Sequence, residues 1–361
     1  MCDGVKSLKS IRSYHDARLK ALARLFESEK PNCAGKALNV LRTGVWFEEL
    51  RGRTGHPTAY GLGQRLQPQT YQPGLHHNNL WAKYAGGKHV PGSDTVRVCE
   101  AALPGSSSLL GDVAWAALDV DRSLGDGGDA LLRQLRPSIQ SAIYEARELD
   151  MGRYVRRRAP TQPLRRLEGQ AGLHALAALA VLLREAHECG NRSRAFEIGR
   201  SLHRTLLMAA IATKLRHINL ELFDFFIRWI FPIAADDEVA MDLDRDVLLT
   251  QSYWLDRIVM QLEDAGLYRD APGGPTRHLR QILQVNYGFD LFYGLGPRLK
   301  LCVPAECASF EARAYAATHN IGWAWGTSVL SNLRRERLMP DHVLDAQTSA
   351  RRREKSQTPP T

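Results

Sequence analysis

Apolar residues recur at three- and four-residue spacings from the start of the chain. Leu8, Ile11, Leu19, Leu22, Leu25 and Phe26 share one face of a charged segment, which predicts a helix stopping near Pro31. A second helix is expected from about Lys36, with Leu38, Leu41, Val45 and Leu50 as its stripe. A stretch rich in Gly, Pro and His (Thr54 to Pro73) follows, then two short helical stretches near Asn78 to Tyr84 and Ser93 to Leu103. Pro104-Gly105 and Ser106 to Ser108 break the pattern. The Gly125-Asp-Gly-Gly128 cluster is the best candidate boundary, because a glycine-rich acidic tract is expected neither to hold a helix nor to join a core.

Beyond it the periods lengthen. Ala130 to Leu149, Leu164 to Glu188, Arg194 to Leu215, Leu220 to Ile233, Val247 to Leu267 and Thr276 to Val285 read as helices, and Leu299 to Val303 as a short strand. The expected fold is all-α: a basic helical module over 1–124, a helical bundle or array over 129–337, and a disordered basic tail over 341–361 ending in Arg351-Arg-Arg-Glu-Lys355. No repeat of 20 to 50 residues occurs.

Composition narrows the class. The chain has 361 residues, 44% hydrophobic and 24% charged, the balance of a globular chain and not of a disordered one. Residues 1–30 alternate charge and apolarity without the apolar run of a secretory signal, so a cytoplasmic location is expected. The most apolar stretch, Ala171 to Leu183, contains His174, ends at Arg184 and Glu185, and falls short of the roughly twenty residues that cross a bilayer. It reads as a core helix, and no membrane partner is expected. Six cysteines (Cys2, Cys33, Cys99, Cys189, Cys302, Cys307) include no C-x-x-C pair, so free thiols are expected.

Charge is unevenly distributed. The 48 Lys+Arg include only ten lysines, an arginine surplus that points to a GC-rich, bacterial coding source. Residues 1–111 hold 15 Lys+Arg against 8 Asp+Glu, a net +7; residues 334–361 hold 7 against 4; the stretch between is close to neutral. Two basic ends around a neutral body suit an N-terminal polyanion-binding module, as against a solvated, arginine-rich surface.

Catalytic and metal motifs are incomplete. Asp242-Leu-Asp244-Arg-Asp246 alternates carboxylates, but a calcium loop needs glycine at its sixth position and glutamate at its twelfth, which here are Val247 and Tyr253. With Asp236, Asp237 and Glu238, these acids read as a solvated loop favouring the N-terminus of the following helix. His187, His203 and His217 lie on three predicted helices without the Glu-x-x-His pairs of a di-metal bundle. Zinc-protease, serine-hydrolase, phosphate-loop and dinucleotide signatures do not occur. No cofactor, metal or catalytic residue is assigned. The aromatic run Leu220 to Pro232, with Phe223, Phe225, Phe226, Trp229 and Phe231, reads as a core helix or, if part of it is exposed, a homodimer interface.

From Leu80 the chain runs Leu-Trp-Ala-Lys-Tyr-Ala-Gly-Gly-Lys-His-Val-Pro-Gly-Ser-Asp-Thr-Val-Arg-Val-Cys-Glu-Ala-Ala-Leu. Gly87 can take the left-handed conformation that ends a helix, Pro91 discourages helix before it, and Ser93 or Asp94 can cap a helix burying Val96, Cys99 and Leu103. Over about residues 45–105 this resembles a phage-repressor (Cro/C1-type) helix-turn-helix. Tyr84, Gly87, Lys88 and Pro91 match its corner after the recognition helix, and Thr95, Val96, Cys99 and Leu103 match the helix after that. Upstream, Leu50-Arg51, Gly55, Ala59, Leu62 and Leu66 resemble its first helix, turn and second helix. The chain departs from the family in the ten residues Gln67 to His76 where a tight turn is usual, in Thr58 for a phosphate-contacting glutamine, and in Ala85 for an acidic residue.

The resemblance implies a recognition helix beginning near His77 that presents Asn78, Asn79 and Lys83 to base edges, with Lys88, His89 and Arg97 placed for phosphates. Trp81 is assigned to the core. The resulting expectation is a DNA-binding, regulatory protein whose helical body serves oligomerisation or ligand or partner sensing. Two rivals stay open: a non-enzymatic interaction or scaffold component of a bacterial operon, and an enzyme whose site gathers His187, His203 and His217 in one pocket.

Overall fold

The computed structural model describes residues 2–28, 30–70, 79–159, 161–266 and 274–356, with side chains described from Ser13 onward and excepting those of Gly274 and Pro275. The architecture is helical, with one two-stranded sheet among the described residues. The chain forms two compact units. Unit 1 is 1–123 together with 214–229; unit 2 is 124–213 together with 230–361. The single helical body expected over 129–337 is thus corrected: 214–229 belongs with the N-terminal module.

Unit 1 contains α1 (Cys2–Phe26), α2 (Cys33–Thr54), α3 (Ala59–Leu66), α4 (Leu80–Ala85), α5 (Ser93–Ala102), α6 (Ala114–Ala117) and, from the inserted segment, α13 (Asn219–Phe225). Thr58 caps α3 by accepting from Gly61 N at 3.1 Å, and Gly55 ends α2 in the left-handed region at φ 70°. The core collects Trp46, Phe47 and Leu50 of α2, Leu62 and Leu66 of α3, Trp81, Tyr84 and Ala85 of α4, and Cys99 of α5. Trp46 stacks on Trp81 at 6.0 Å, and Tyr84 meets both rings edge-on. The aromatic run after Leu220 is core, since Phe223, Phe225 and Phe226 are fully buried.

Buried charge ties the segments of unit 1 together. Arg18 is fully buried; its Nε donates to Glu221, its Nη1 to Glu48 at 3.2 Å and to the Ala85 carbonyl at 2.8 Å. Glu221 also accepts from His15 Nδ1 at 3.0 Å, and Glu48 from Arg51 at 2.7 Å. Burial alone would raise the Glu221 carboxyl, but the Arg18 guanidinium and His15 outweigh it and hold it below the usual range.

Unit 2 begins with α7 (Gly128–Gln134), α8 (Pro137–Ile143) and α9 (Ala146–Asp150), three short helices where one long helix was expected. Leu135 and Tyr144 are extended, Pro137 opens α8, and Tyr144 makes a bridge to Arg156. Gly128 is also a correction. It starts a helix and is buried, and a Cβ on it would collide with Glu185, which holds Arg156 through bonds of 2.7 and 2.8 Å. The expected 164–188 helix divides into α10 (Thr161–Glu168) and α11 (Leu173–Glu188), because Ala171 and Gly172 take φ of 35° and 99°. α11, almost wholly buried, and α12 (Arg192–Ala212) then pack together.

α14 (Arg245–Asp264) is capped by Asp244, which accepts from Val247 N at 2.8 Å. α15 (Gly274–Ile282), α16 (Phe289–Gly294), α17 (Phe310–Ser331) and α18 (Asp341–Ser356) complete the unit. α16 and α17 cross with backbones nearly touching: a Cβ on Gly326 would lie 2.6 Å from Gly294 N and 2.8 Å from the Asp290 carbonyl. β1 (Val239–Asp242) pairs antiparallel with β2 (Arg298–Leu301), which replaces the solvated acidic loop expected around Asp242 and supplies the partner for the expected strand. The disordered tail expected from Asp341 is likewise corrected over 341–356. α18 packs on α17 through buried Val343 and Ala350 and through Arg313, whose Nε donates to Glu354 at 2.8 Å.

Candidate nucleic-acid interface

The corner from α4 to α5 separates into two faces by helical spacing. Trp81, Tyr84 and Ala85 point into the core, and Asn79, Ala82 and Lys83 stand in solvent on the opposite side. Asn79, at the cap position, makes no side-chain cap bond, so its amide is not used by the helix it precedes. Trp81, 1% exposed, donates from Nε1 to Gln67 Oε1 at 3.1 Å, and Gln67 Nε2 donates to Thr95 Oγ1 at 3.4 Å. α3, α4 and α5 are thereby joined through one amide.

After α4 the chain turns at Gly86-Gly87. Gly87 has φ 66°, and a Cβ there would lie 2.6 Å from Val40 Cγ1; one on Gly86 would come within 3.3 Å of the Ala17 Cβ. Glycine at both positions lets the corner seat against α1 and α2. Lys88, His89 and Val90 follow, all exposed, and buried Pro91 leads into α5. On α5, Thr95 and Cys99 are buried, Val96 and Leu103 pack against the same core, and burial pushes the Cys99 thiol up to about 12, so it is a packing group and not a nucleophile. Arg97 is exposed and donates to Asp94 at 2.7 Å, which offsets part of its charge locally. Glu100 closes the far end of α5, accepting from Ser107 N at 2.8 Å and from Gly105 N; those amides bring its carboxyl down to about 2.

Of the residues singled out from sequence, Asn79, Lys83, Lys88, His89 and Arg97 are all at the exposed surface of unit 1, whereas His77 and Asn78 lie outside the described residues. Sequence reasoning did not single out Lys20 and Arg24 of α1, which share a groove with Lys88. Their four-residue spacing on an amphipathic helix was the available signal.

The histidines behave differently. His203 is fully buried; its Nε2 bonds Gln251 Oε1 at 3.0 Å while the Gln251 amide donates to the Gly296 carbonyl at 2.6 Å. That chain places the imidazole proton on Nε2, and burial lowers the pKa to about 3. His187 Nδ1 sits 2.6 Å from Arg192 Nη1, and burial and that guanidinium both hold its pKa down. His217 belongs to unit 1, His187 and His203 to unit 2. Among the described residues no three His, Cys, Asp or Glu are grouped to hold a metal. Cys33, Cys99, Cys189, Cys302 and Cys307 are free thiols. Among the described residues no helix is long and apolar enough to cross a membrane.

Unit 2 has a larger groove, about 800 Å³, along β2 and α17. Two of its central polar side chains are engaged in the fold: Asn320 bonds both the amide and the carbonyl of Leu299, and Arg313 bonds Glu354 and the Ala308 carbonyl. No protein-family model matches the chain, and no curated protein or solved structure matches it either.

Proposed function

We propose that unit 1 is a nucleic-acid-binding module of regulatory type, read through the α4–α5 corner, with unit 2 serving assembly or sensing of a ligand or partner. One observation carries this reading: an exposed face of Asn79, Lys83, Lys88 and His89 is mounted on a buried aromatic core, and among the described residues no side-chain hydrogen bond or ion pair engages those four. Lysine ammonium groups neutralise phosphates and release counterions, and asparagine offers the paired donor and acceptor that match adenine. The net +7 of residues 1–111 supplies the long-range attraction.

Fluorescence anisotropy of the full chain with labelled mixed-sequence duplex tests it. Binding in the roughly micromolar range at low salt, weakening steeply as salt rises, is expected. Asn79→Ala with Lys83→Ala and Lys88→Ala should weaken it at least about tenfold, each lost phosphate contact also flattening the salt slope. Affinity unchanged by those substitutions would refute the reading. Absence of binding at low salt would refute it too, and would make the interaction-component alternative the leading one.

A further inference from the structure

α1 carries Asp16, Lys20 and Arg24 at four-residue steps, which places them in one line on its exposed side, neighbouring side chains about 5–6 Å apart. The Gly86-Gly87 turn, seated on Ala17 and Val40, brings Lys88 to the same line. Together with Ser13, these residues line a groove of about 520 Å³ within unit 1. None of Lys20, Arg24 and Lys88 has a carboxylate within salt-bridge distance among the described residues, although Asp16 lies in the same groove. Three cations against one carboxylate leave a net +2 in a concave site, where low-dielectric walls concentrate the field.

We propose that this groove is a phosphodiester-binding site that continues the nucleic-acid track from the α4–α5 corner onto α1, with Lys88 shared between the two. It rests on the reading of unit 1 as a nucleic-acid-binding module. Lysine and arginine here act on the backbone and carry no base information, so the groove sets affinity and register and not sequence preference. Asp16 tempers the site: its carboxylate repels the same phosphates that Lys20 and Arg24 attract.

The test compares the full chain, Lys20→Ala/Arg24→Ala, the charge-keeping Lys20→Arg/Arg24→Lys, and Asp16→Asn, each bound to the same labelled duplex across a salt series. Loss of two phosphate contacts should flatten the slope of log affinity against log salt by about 1.8, so the fall in affinity between 50 and 200 mM salt becomes roughly tenfold smaller. The charge-keeping variant should retain the wild-type slope, and Asp16→Asn should bind several-fold more tightly. Wild-type binding that depends on Lys83 but keeps its slope in Lys20→Ala/Arg24→Ala would overturn the groove and leave the corner standing. A wild-type chain that does not bind duplex at low salt would overturn both. All three groove positions are solvent-facing, so an unchanged far-ultraviolet dichroism spectrum is expected for every variant and distinguishes lost contacts from lost fold.

Discussion

Arg18→Ala is the substitution whose cost is best fixed by the structure. The side chain is fully buried and bonds groups on three other helices: Glu48 on α2, the Ala85 carbonyl at the end of α4, and Glu221 on α13. Truncation leaves the Glu221 carboxylate with His15 as its remaining partner and Glu48 with Arg51. Removing one member of a buried ion pair costs about 3–5 kcal/mol, because the partner charge stays in low dielectric without compensation. The two residual hydrogen bonds, from His15 to Glu221 and from Arg51 to Glu48, keep the expected loss near the lower end, about 3 kcal/mol. Urea unfolding with hydrogen-exchange readout of peptides from α2 and α4 measures it locally in unit 1. Arg18→Met with Glu221→Leu removes both charges at once and should recover at least about 1 kcal/mol relative to Arg18→Met alone. A single substitution costing under about 1 kcal/mol, or strictly additive losses in the pair, would refute the account of Arg18 as a buried hub. The acid limb gives an independent check: Glu221 has its pKa lowered by folding, so its contribution is complete above the unfolded carboxyl value and disappears as pH falls through the folded one.

Two further predictions concern unit 2. His203 titrates near 3 when folded and near 6.5 when unfolded, so the unfolded state takes up a proton first as pH falls; stability should drop by about 2 kcal/mol between pH 7 and pH 5, a slope that His203→Gln removes, and parallel pH profiles of the two proteins would sink the assignment. Gly326→Ala should destabilise by about 1–3 kcal/mol through forced separation of α16 and α17, measured as a lower urea midpoint. Without that close crossing the same change would stabilise by up to about 1 kcal/mol through helix propensity, so the sign of the shift decides.

Much of the local structure was legible because it rests on short-range pattern. Trp81 was legible as a core residue and Gly87 marked the left-handed turn after α4, whereas the burial of Tyr84 beside Trp81 came with the structure. The exposure of Lys83, Lys88 and Arg97 agrees with what the helix-turn-helix resemblance implied for those positions. What was not legible depends on partners far away in sequence. Arg18 meets Glu221 across 203 positions, and nothing near either residue signals the pairing. β1 is four residues long among acids, and its identity as a strand comes from β2, its partner some sixty residues later. α18 shows few apolar positions, since Val343 and Ala350 suffice to dock it when α17 is already in place. Gly128 looked like a breaker because a glycine needed for close approach to Glu185 is indistinguishable, in sequence, from one needed for flexibility.

The interrupted connectivity of unit 1 sets an order of events at the ribosome. Residues 1–123 emerge before their last helix, which arrives only after residues 124–213 have been made. At about 5–20 residues per second, that interval lasts roughly 5–18 s. During it Arg18 and Glu48 can meet, but Glu221, the second carboxylate that Arg18 holds, and the buried Phe223 and Phe225 of the same helix do not yet exist. The N-terminal module therefore waits on the ribosome with an unfinished core, and the helices of 124–213 are free to fold first. A nascent-chain arrest series should find unit 1 acquiring protease resistance only once α13 has cleared the exit tunnel. The segment read as part of the C-terminal body is thus the one that times the completion of the N-terminal module.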